Sequence, residues 1–195
     1  MTDRKETLPG VLESAALRFP DRPVYAFKGV RVSYSEFLEK TRRVAGCLLS
    51  LGVESGDRIV FFSENRPEYI ELLFAAAMLN ATLVPINTRY GSDDLRVALD
   101  SVDPKLVFHS TSFRKQNFSD LLARAVELPE PGANGAKTGS PSYRTISLDP
   151  LETGDTYQAL VTEAEPLKAS RATDDAVALM IFTSGSRKAI DSPGG

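Results

Sequence analysis

The sequence predicts an α/β fold, a mostly parallel sheet flanked by helices on both faces. Two observations carry that expectation. Apolar runs alternate with helix-period segments from residue 58 to residue 126, a spacing that implies right-handed βαβ crossovers. Helix starts are marked by capping signatures, Ser33 with Glu36 and Asn65 with Glu68.

Taken in order, residues 8–19 form the first expected helix, because Leu8, Val11, Leu12, Ala15, Ala16 and Phe19 share one face. Pro20 and Pro23 end it. Residues 24–27 and 30–33 read as short strands around a Lys28-Gly29 hairpin turn. Ser33 and Glu36 then open a helix whose apolar face includes Phe37, Leu38, Val44, Ala45, Leu48 and Leu49, with Gly52 placed to end it. Residues 58–63 (RIVFFS) read as a buried strand. Asn65 is expected to cap the following helix, with Pro67 in its first turn and Glu68 completing a capping box. That helix, 68–79, is apolar nearly all round, which predicts burial on more than one side. Residues 81–86 (ATLVPI) give the next strand, with Pro85 suited to its end. Ser92, Asp93 and Asp94 start a helix to about Val102, Asp103-Pro104 stops it, and residues 106–109 (LVFH) form a third strand. Phe118, Leu121, Leu122, Ala125 and Val126 mark a further helix. Residues 129–142 (PEPGANGAKTGSPS) lack core-forming side chains and read as a flexible insertion. A strand at 144–148, a short helix around 157–162 and a closing buried strand at 176–182 (AVALMIF) complete the chain.

The chain has 195 residues, 42% hydrophobic and 25% charged, enough for one α/β domain with a real core. A formal net charge of −3 argues against a general nucleic-acid binder. Cys47 is the only cysteine, so no intrachain disulfide forms and a reducing, cytoplasmic setting is the default expectation. No apolar run reaches transmembrane length, and Asp3 and Glu6 do not suit a targeting presequence.

The closing strand runs into Thr183-Ser184-Gly185-Ser186, whose hydroxyl, amide and glycine character suits an anion. On its own, such a quartet after a strand is more often an ordinary turn than a nucleotide site. Neither a Walker frame nor a G-x-G-x-x-G follows any strand. Its company is more informative. Residues 32–37 (VSYSEF), 52–60 (GVESGDRIV), 63–69 (SENRPEY), 75–77 (AAA), 84–89 (VPINTR) and 181–186 (IFTSGS) follow one another in an order and spacing that resemble the adenylate-forming superfamily of acyl-CoA synthetases, luciferases and peptide-synthetase adenylation domains. The resemblance covers nearly the whole chain, as the N-terminal portion of such an enzyme.

The resemblance implies a two-step ligase. A carboxylate attacks the α-phosphate of ATP with Mg2+, giving an acyl-adenylate and pyrophosphate, and a thiol, most often CoA, takes the acyl group. Thr183, Ser184, Gly185 and Ser186 match the start of the family's phosphate loop. The family continues Thr-Gly-x-Pro-Lys-Gly, whereas this chain continues Arg187-Lys188-Ala189-Ile190-Asp191-Ser192. With gaps, Lys188 stands as the loop lysine; alternatively, residues 187–195 are unrelated sequence from a shifted frame or unspliced segment. The adenine, acid-binding, magnesium-binding and catalytic-lysine segments of the family have no counterpart in these 195 residues. The expectation is therefore a partial AMP-binding domain over 1–195, inactive by itself, with no catalytic or metal residue of its own. A non-catalytic nucleotide- or partner-binding remnant, or part of an amino-acid-activating domain, remain open. Uncovered sheet edge and apolar surface are expected of such a piece.

The remaining candidates have plainer readings. His109 and Cys47 read as core residues, Arg89 and Arg96 as solvated charge, Asp93/Asp94 as helix-start acids and Asp174/Asp175 as loop acids.

Overall fold

The computed structural model describes residues 6–127 and 142–182. Helix α1, Leu8–Arg18, starts where the Thr7 hydroxyl accepts a hydrogen bond from the Gly10 amide. Strands β1, Pro23–Phe27, and β2, Val30–Ser33, pair antiparallel around the expected turn. Lys28 and Gly29 hold φ at 47° and 83°, the left-handed pair that a tight hairpin needs. Helix α2, Tyr34–Ser50, opens on the predicted capping box between Ser33 and Glu36.

There follow β3, Arg58–Phe62; α3, Pro67–Met78; β4, Thr82–Pro85; α4, Ser92–Val102; and β5, Leu106–His109. A small hairpin, β6 (Ser112–Phe113) and β7 (Gln116–Asn117), leads into α5, Phe118–Glu127. Its two-residue arms are too short to leave a periodic signal in the sequence. Beyond the residues left undescribed lie β8, Arg144–Ser147, and α6, Tyr157–Glu163.

The sheet is parallel, in the order β4-β3-β5-β8, as the alternation predicted. Because side chains alternate along a strand, β3 feeds two cores. Ile59 and Phe61 meet Leu48, Leu72, Ala75 and Tyr157 on the α2/α3/α6 face. Val60 and Phe62 meet Leu95, Leu99, Phe118 and Leu122 on the α4/α5 face. Helices thus cover both faces, which lets the strands be apolar throughout.

Three expectations need correction. Asn65 does not cap α3: the cap position is Arg66, which makes no side-chain cap bond, and Asn65 is exposed. Glu68 forms a charge-assisted fork with the Arg66 guanidinium rather than closing a capping box, and such forks outweigh neutral amide bonds. Arg96 is not solvated charge. It is 5% exposed, with Nε donating to Asp100 and Nη1 to the Ala125 carbonyl, and so ties α4 to α5. Arg89 is exposed, as expected. Finally, residues 176–182 do not form a buried strand. They make one parallel bridge, Leu179 to Leu83 of β4, and Val177, Met180 and Ile181 are exposed, because among the described residues the segment has a strand neighbour on one side only.

An acid buried in α3 went unread in the sequence. Glu71 is fully buried, and its carboxylate accepts from Tyr25 at 3.1 Å and Tyr157 at 2.6 Å, with Lys40 Nζ 3.0 Å away. Burial first, then the Glu71 charge, drive the Tyr157 hydroxyl well above its ordinary pKa, so it stays a donor. Tyr157→Phe would leave one carboxylate oxygen without its donor, at a cost of about 1–3 kcal/mol. Urea melts of the variant and the parent chain measure it directly.

Segment 164–173 straps back across α2 and the end of α3. Leu167 N–H donates to the Arg42 carbonyl, Arg43 to the Ala164 carbonyl, and Arg171 N–H to the Met78 carbonyl. Gly46 permits the crossing: a Cβ there would lie 1.8 Å from the Glu165 carbonyl oxygen. Helix propensity favours Gly→Ala by about 1 kcal/mol. The clash reverses that sign, so Gly46→Ala is expected to lower the melting temperature, and a rise would refute the crossing. Burial pushes the Cys47 thiol up to about 11, consistent with its core reading. Slow labelling of Cys47 by a thiol reagent until the chain is unfolded is the corresponding expectation.

Candidate functional site at the carboxyl edge of the sheet

Parallel α/β sheets bind ligands beyond the carboxyl ends of their strands, where successive crossovers leave in opposite directions. Here β3 crosses by α3 to β4 on one side, and β5 crosses by α5 to β8 on the other. The divergence falls between β3 and β5, and the residues that emerge there are Ser63, Glu64 and Arg66 after β3 and Ser110 and Thr111 after β5.

Arg66 is the hub. Its Nε and Nη2 donate to the two Glu68 oxygens at 2.9 and 3.0 Å. Nη1 reaches Asp149 Oδ1 at 2.8 Å and Ser110 Oγ at 3.2 Å, and Nη2 also reaches the Leu148 carbonyl at 3.0 Å. Those contacts engage all five donors of a guanidinium. Asp149 Oδ2 in turn accepts from the Thr111 amide at 2.7 Å and its hydroxyl at 3.0 Å. Ser63 Oγ and Ser110 Oγ lie 3.0 and 2.9 Å from Glu64 Oε2 and contact each other, so with one proton apiece one hydroxyl donates to the carboxylate and the other to its neighbour. His109, one step back on β5, holds its Nδ1 2.9 Å from the Ser110 carbonyl, which only accepts, so Nδ1 carries the proton. Burial lowers its pKa and keeps it neutral, in keeping with a core reading.

This cluster joins the ends of β3, β5 and β8. It does not fit a polyphosphate: three carboxylates surround one guanidinium whose donors are already engaged. Among the described residues no group of three or more His, Cys, Asp or Glu could hold a metal ion. The edge is braced rather than charged for ATP.

The segment that precedes the sequence-predicted loop flanks β4. Segment 176–182 runs parallel to β4, with Leu83 N–H donating to the Ala178 carbonyl and Met180 N–H to the Leu83 carbonyl, both at 3.0 Å. Phe182 packs against the α4/α5-face core, so the chain reaches residue 183 heading for the carboxyl edge. Thr183, Ser184, Gly185, Ser186 and Lys188 themselves lie outside the described residues, as do the tail 187–195 and the predicted insertion apart from Ser142. Arg89 stands on the same edge, after β4, in a turn where Asn87 Oδ1 accepts from its amide.

Sequence reading found Glu64 and Arg66 only within a family-like string and Glu68 also as a capping residue, and it missed Asp149 and Ser110 altogether. Asp149 lies 83 residues from Arg66, and no local pattern links them.

Burial pushes the Asp149 carboxyl up, but bonds from Arg66 and Thr111 outweigh it and hold its pKa below the ordinary value. A depressed acid stabilises the fold above its unfolded pKa, about 3.9, and that contribution is lost as pH falls through the lower folded value. Asp149→Asn is therefore expected to destabilise the chain at neutral pH and to flatten the acid limb of its stability curve, read by denaturant melts at stepped pH.

Comparison with known proteins agrees with this geometry. The model of the AMP-binding enzyme family matches residues 12–187. The acyl-CoA ligase sidI of Aspergillus fumigatus is 30% identical over 190 residues, covering 92% of this chain and 32% of that protein. The mitochondrial medium-chain acyl-CoA ligase ACSF2 of Mus musculus is 30% identical over 148 residues, covering 73% of this chain and 24% of that protein. In fold, a Mycobacterium tuberculosis fatty acyl CoA synthetase superposes with a TM-score of 0.73 at 22% identity, over 94% of this chain and 34% of the other. The N-terminal domain of FACL13 from the same organism gives 0.74 at 22% identity, over 93% of this chain and 42% of that one. The chain thus spans about a third or less of these curated relatives, and it belongs to the AMP-binding enzyme family.

Proposed function

We propose that this chain is the N-terminal portion of an acyl-CoA synthetase-type ligase, contributing the opening of its ATP phosphate loop but not a complete active centre. The observation that carries the reading is the course of residues 176–182, which run parallel to β4 and head for the carboxyl edge just before Thr183. Phosphate-binding loops favour that position because glycine and amide groups there can meet an anion at the ends of buried strands. In this reading Thr183, Ser184, Gly185 and Ser186 donate to the ATP phosphates, and Lys188 supplies a point charge if the loop closes around it. ATP with Mg2+ would activate the carboxylic acid, and CoA would accept the acyl group.

What the described residues contribute is position. Arg66, Asp149 and Ser110 fix the ends of β3, β5 and β8 relative to one another, and β3 carries β4 beside it. Displacements of about 1 Å at a catalytic centre are costly, so a braced edge serves adenylation without touching substrate.

Two measurements test the reading. The purified chain is expected to show no carboxylate-dependent exchange of pyrophosphate into ATP, and exchange above background would sink its assignment as an incomplete site. A chimera is the positive test, with residues 1–182 replacing the matching part of an active acyl-CoA ligase. Retained exchange supports the family role, and a folded chimera without exchange overturns it.

A further inference from the structure

The side chain of Asn80 stands in for backbone in a parallel ladder. The rung made by backbone lies farther along: Leu83 N–H donates to the Ala178 carbonyl and the Leu83 carbonyl accepts from Met180 N–H, so the two bonds bracket Leu179. Asn80 repeats that pattern around Ala172. Its Nδ2 donates to the Arg171 carbonyl at 3.0 Å, and its Oδ1 accepts from the Thr173 amide at 2.9 Å. A carbonyl only accepts and an amide N–H only donates, so the two contacts also fix which way the carboxamide points.

The backbone of Asn80 is committed elsewhere. Its N–H donates to the Ala77 carbonyl at 3.2 Å and its carbonyl accepts from the Gly56 amide at 2.9 Å, as the chain turns from α3 into β4. That turn holds φ at 58°, a region open chiefly to Gly, Asn and Asp. Of these three, only asparagine has a side chain with both the donor and the acceptor of a peptide group. Between the two rungs the strap spends seven positions (179 − 172) where the α3–β4 junction spends three (83 − 80). A turn takes up the difference, with Ala176 N–H 3.5 Å from the Thr173 carbonyl. Downstream of it, the Thr82 hydroxyl donates to the Val177 carbonyl at 2.7 Å and the Leu83 rung follows. Upstream, Arg171 N–H reaches the Met78 carbonyl at 2.8 Å, and Asn80 supplies the bonds to the Arg171 carbonyl and the Thr173 amide.

We infer that Asn80 is a positioning residue: its carboxamide anchors residues 171–173 to the α3–β4 junction and thereby sets how residues 177–180 lie along β4. Its bearing on catalysis rests on the function proposed above, in which those residues lead to the phosphate loop. Asn80 acts through the strap and not on substrate.

Asn80→Gly separates the carboxamide from the turn, because glycine adopts the same φ at no steric cost. Native-state hydrogen exchange of the 195-residue chain, read amide by amide, tests the anchor. The Leu83 and Met180 amides are expected to exchange about tenfold faster in the variant, while those of β5 keep their rates. Asn80→Asp keeps the turn and the acceptor but sets a carboxylate oxygen against the Arg171 carbonyl, so it is expected to act in the same direction. Rates at Leu83 and Met180 that are unchanged or slower in Asn80→Gly overturn the inference and leave Asn80 a turn residue. Acceleration spread evenly through β5, which reports global loss of stability, or parent-like rates in Asn80→Asp overturn it equally. In the chimera carrying residues 1–182, Asn80→Gly is expected to raise the KM for ATP several-fold and to leave that for the carboxylic acid unchanged. Equal changes in both, or none, overturn the positioning role. A chimera inactive with Asn80 intact counts against the proposed function, and hydrogen exchange, which involves no nucleotide, then decides the anchor by itself.

Discussion

The buried carboxylate of Glu71 sets the terms for half of this structure. It sits in α3, yet its partners come from β1 (Tyr25), α2 (Lys40) and α6 (Tyr157). A charge removed from water is tolerated only when its lone pairs are met, so those elements must arrive in register for α3 to dock at all. Hydrophobic contact alone would let the helices slide by a turn at little cost. One misplaced carboxylate makes such slides expensive. The hairpin, which is too small to stand alone, takes its position from the same acid through Tyr25 and from the edge-on contact of Tyr25 with Phe37.

The carboxyl edge follows a similar logic with a different charge. Arg66 collects the ends of three strands, as Glu71 collects four elements on the flank. One centre is a buried anion held by neutral hydroxyls and a lysine; the other is a cation ringed by carboxylates. Both sit around α3, the first within it and the second at its start. That helix connects β3 to β4, so the alignment of the sheet and the course of residues 176–182 along β4 both depend on how α3 is held.

Much of this was legible from local signals. The Ser33–Glu36 capping box, the Lys28-Gly29 turn and the apolar strands each depend on residues a few positions apart, and they appear where the pattern places them. The failures were each decided by a contact that the local pattern does not display. Asn65 lost its capping role because Arg66 and Glu68 form their own fork. Arg96 reads as a surface cation on α4 until the Ala125 carbonyl of α5 is brought to it. The apolar run 176–182 has the composition of a central strand, but composition does not say how many neighbours a strand will have. At the candidate site, the brace formed with Asp149 and Ser110 was not visible in sequence, because its members lie up to 83 residues apart. Glu71 alone left a signal that could have been used: a single acid well inside a helix otherwise apolar all round.

The strap that passes over Gly46 also bears on the order in which the molecule assembles. Its end, Leu179, pairs with Leu83, which precedes it by 96 positions (179 − 83). On the way, Asn80, itself in a left-handed turn with φ of 58°, accepts the Thr173 amide and donates to the Arg171 carbonyl. These contacts exist only once β4 and the end of α3 are in place, so loop-closure entropy puts them late. During synthesis the sheet up to β8 can therefore form while the strap is still emerging from the ribosome. A segment made after β8 thus returns to the middle of the chain, and residues 176–182 take their course along β4 only after the sheet they join has formed.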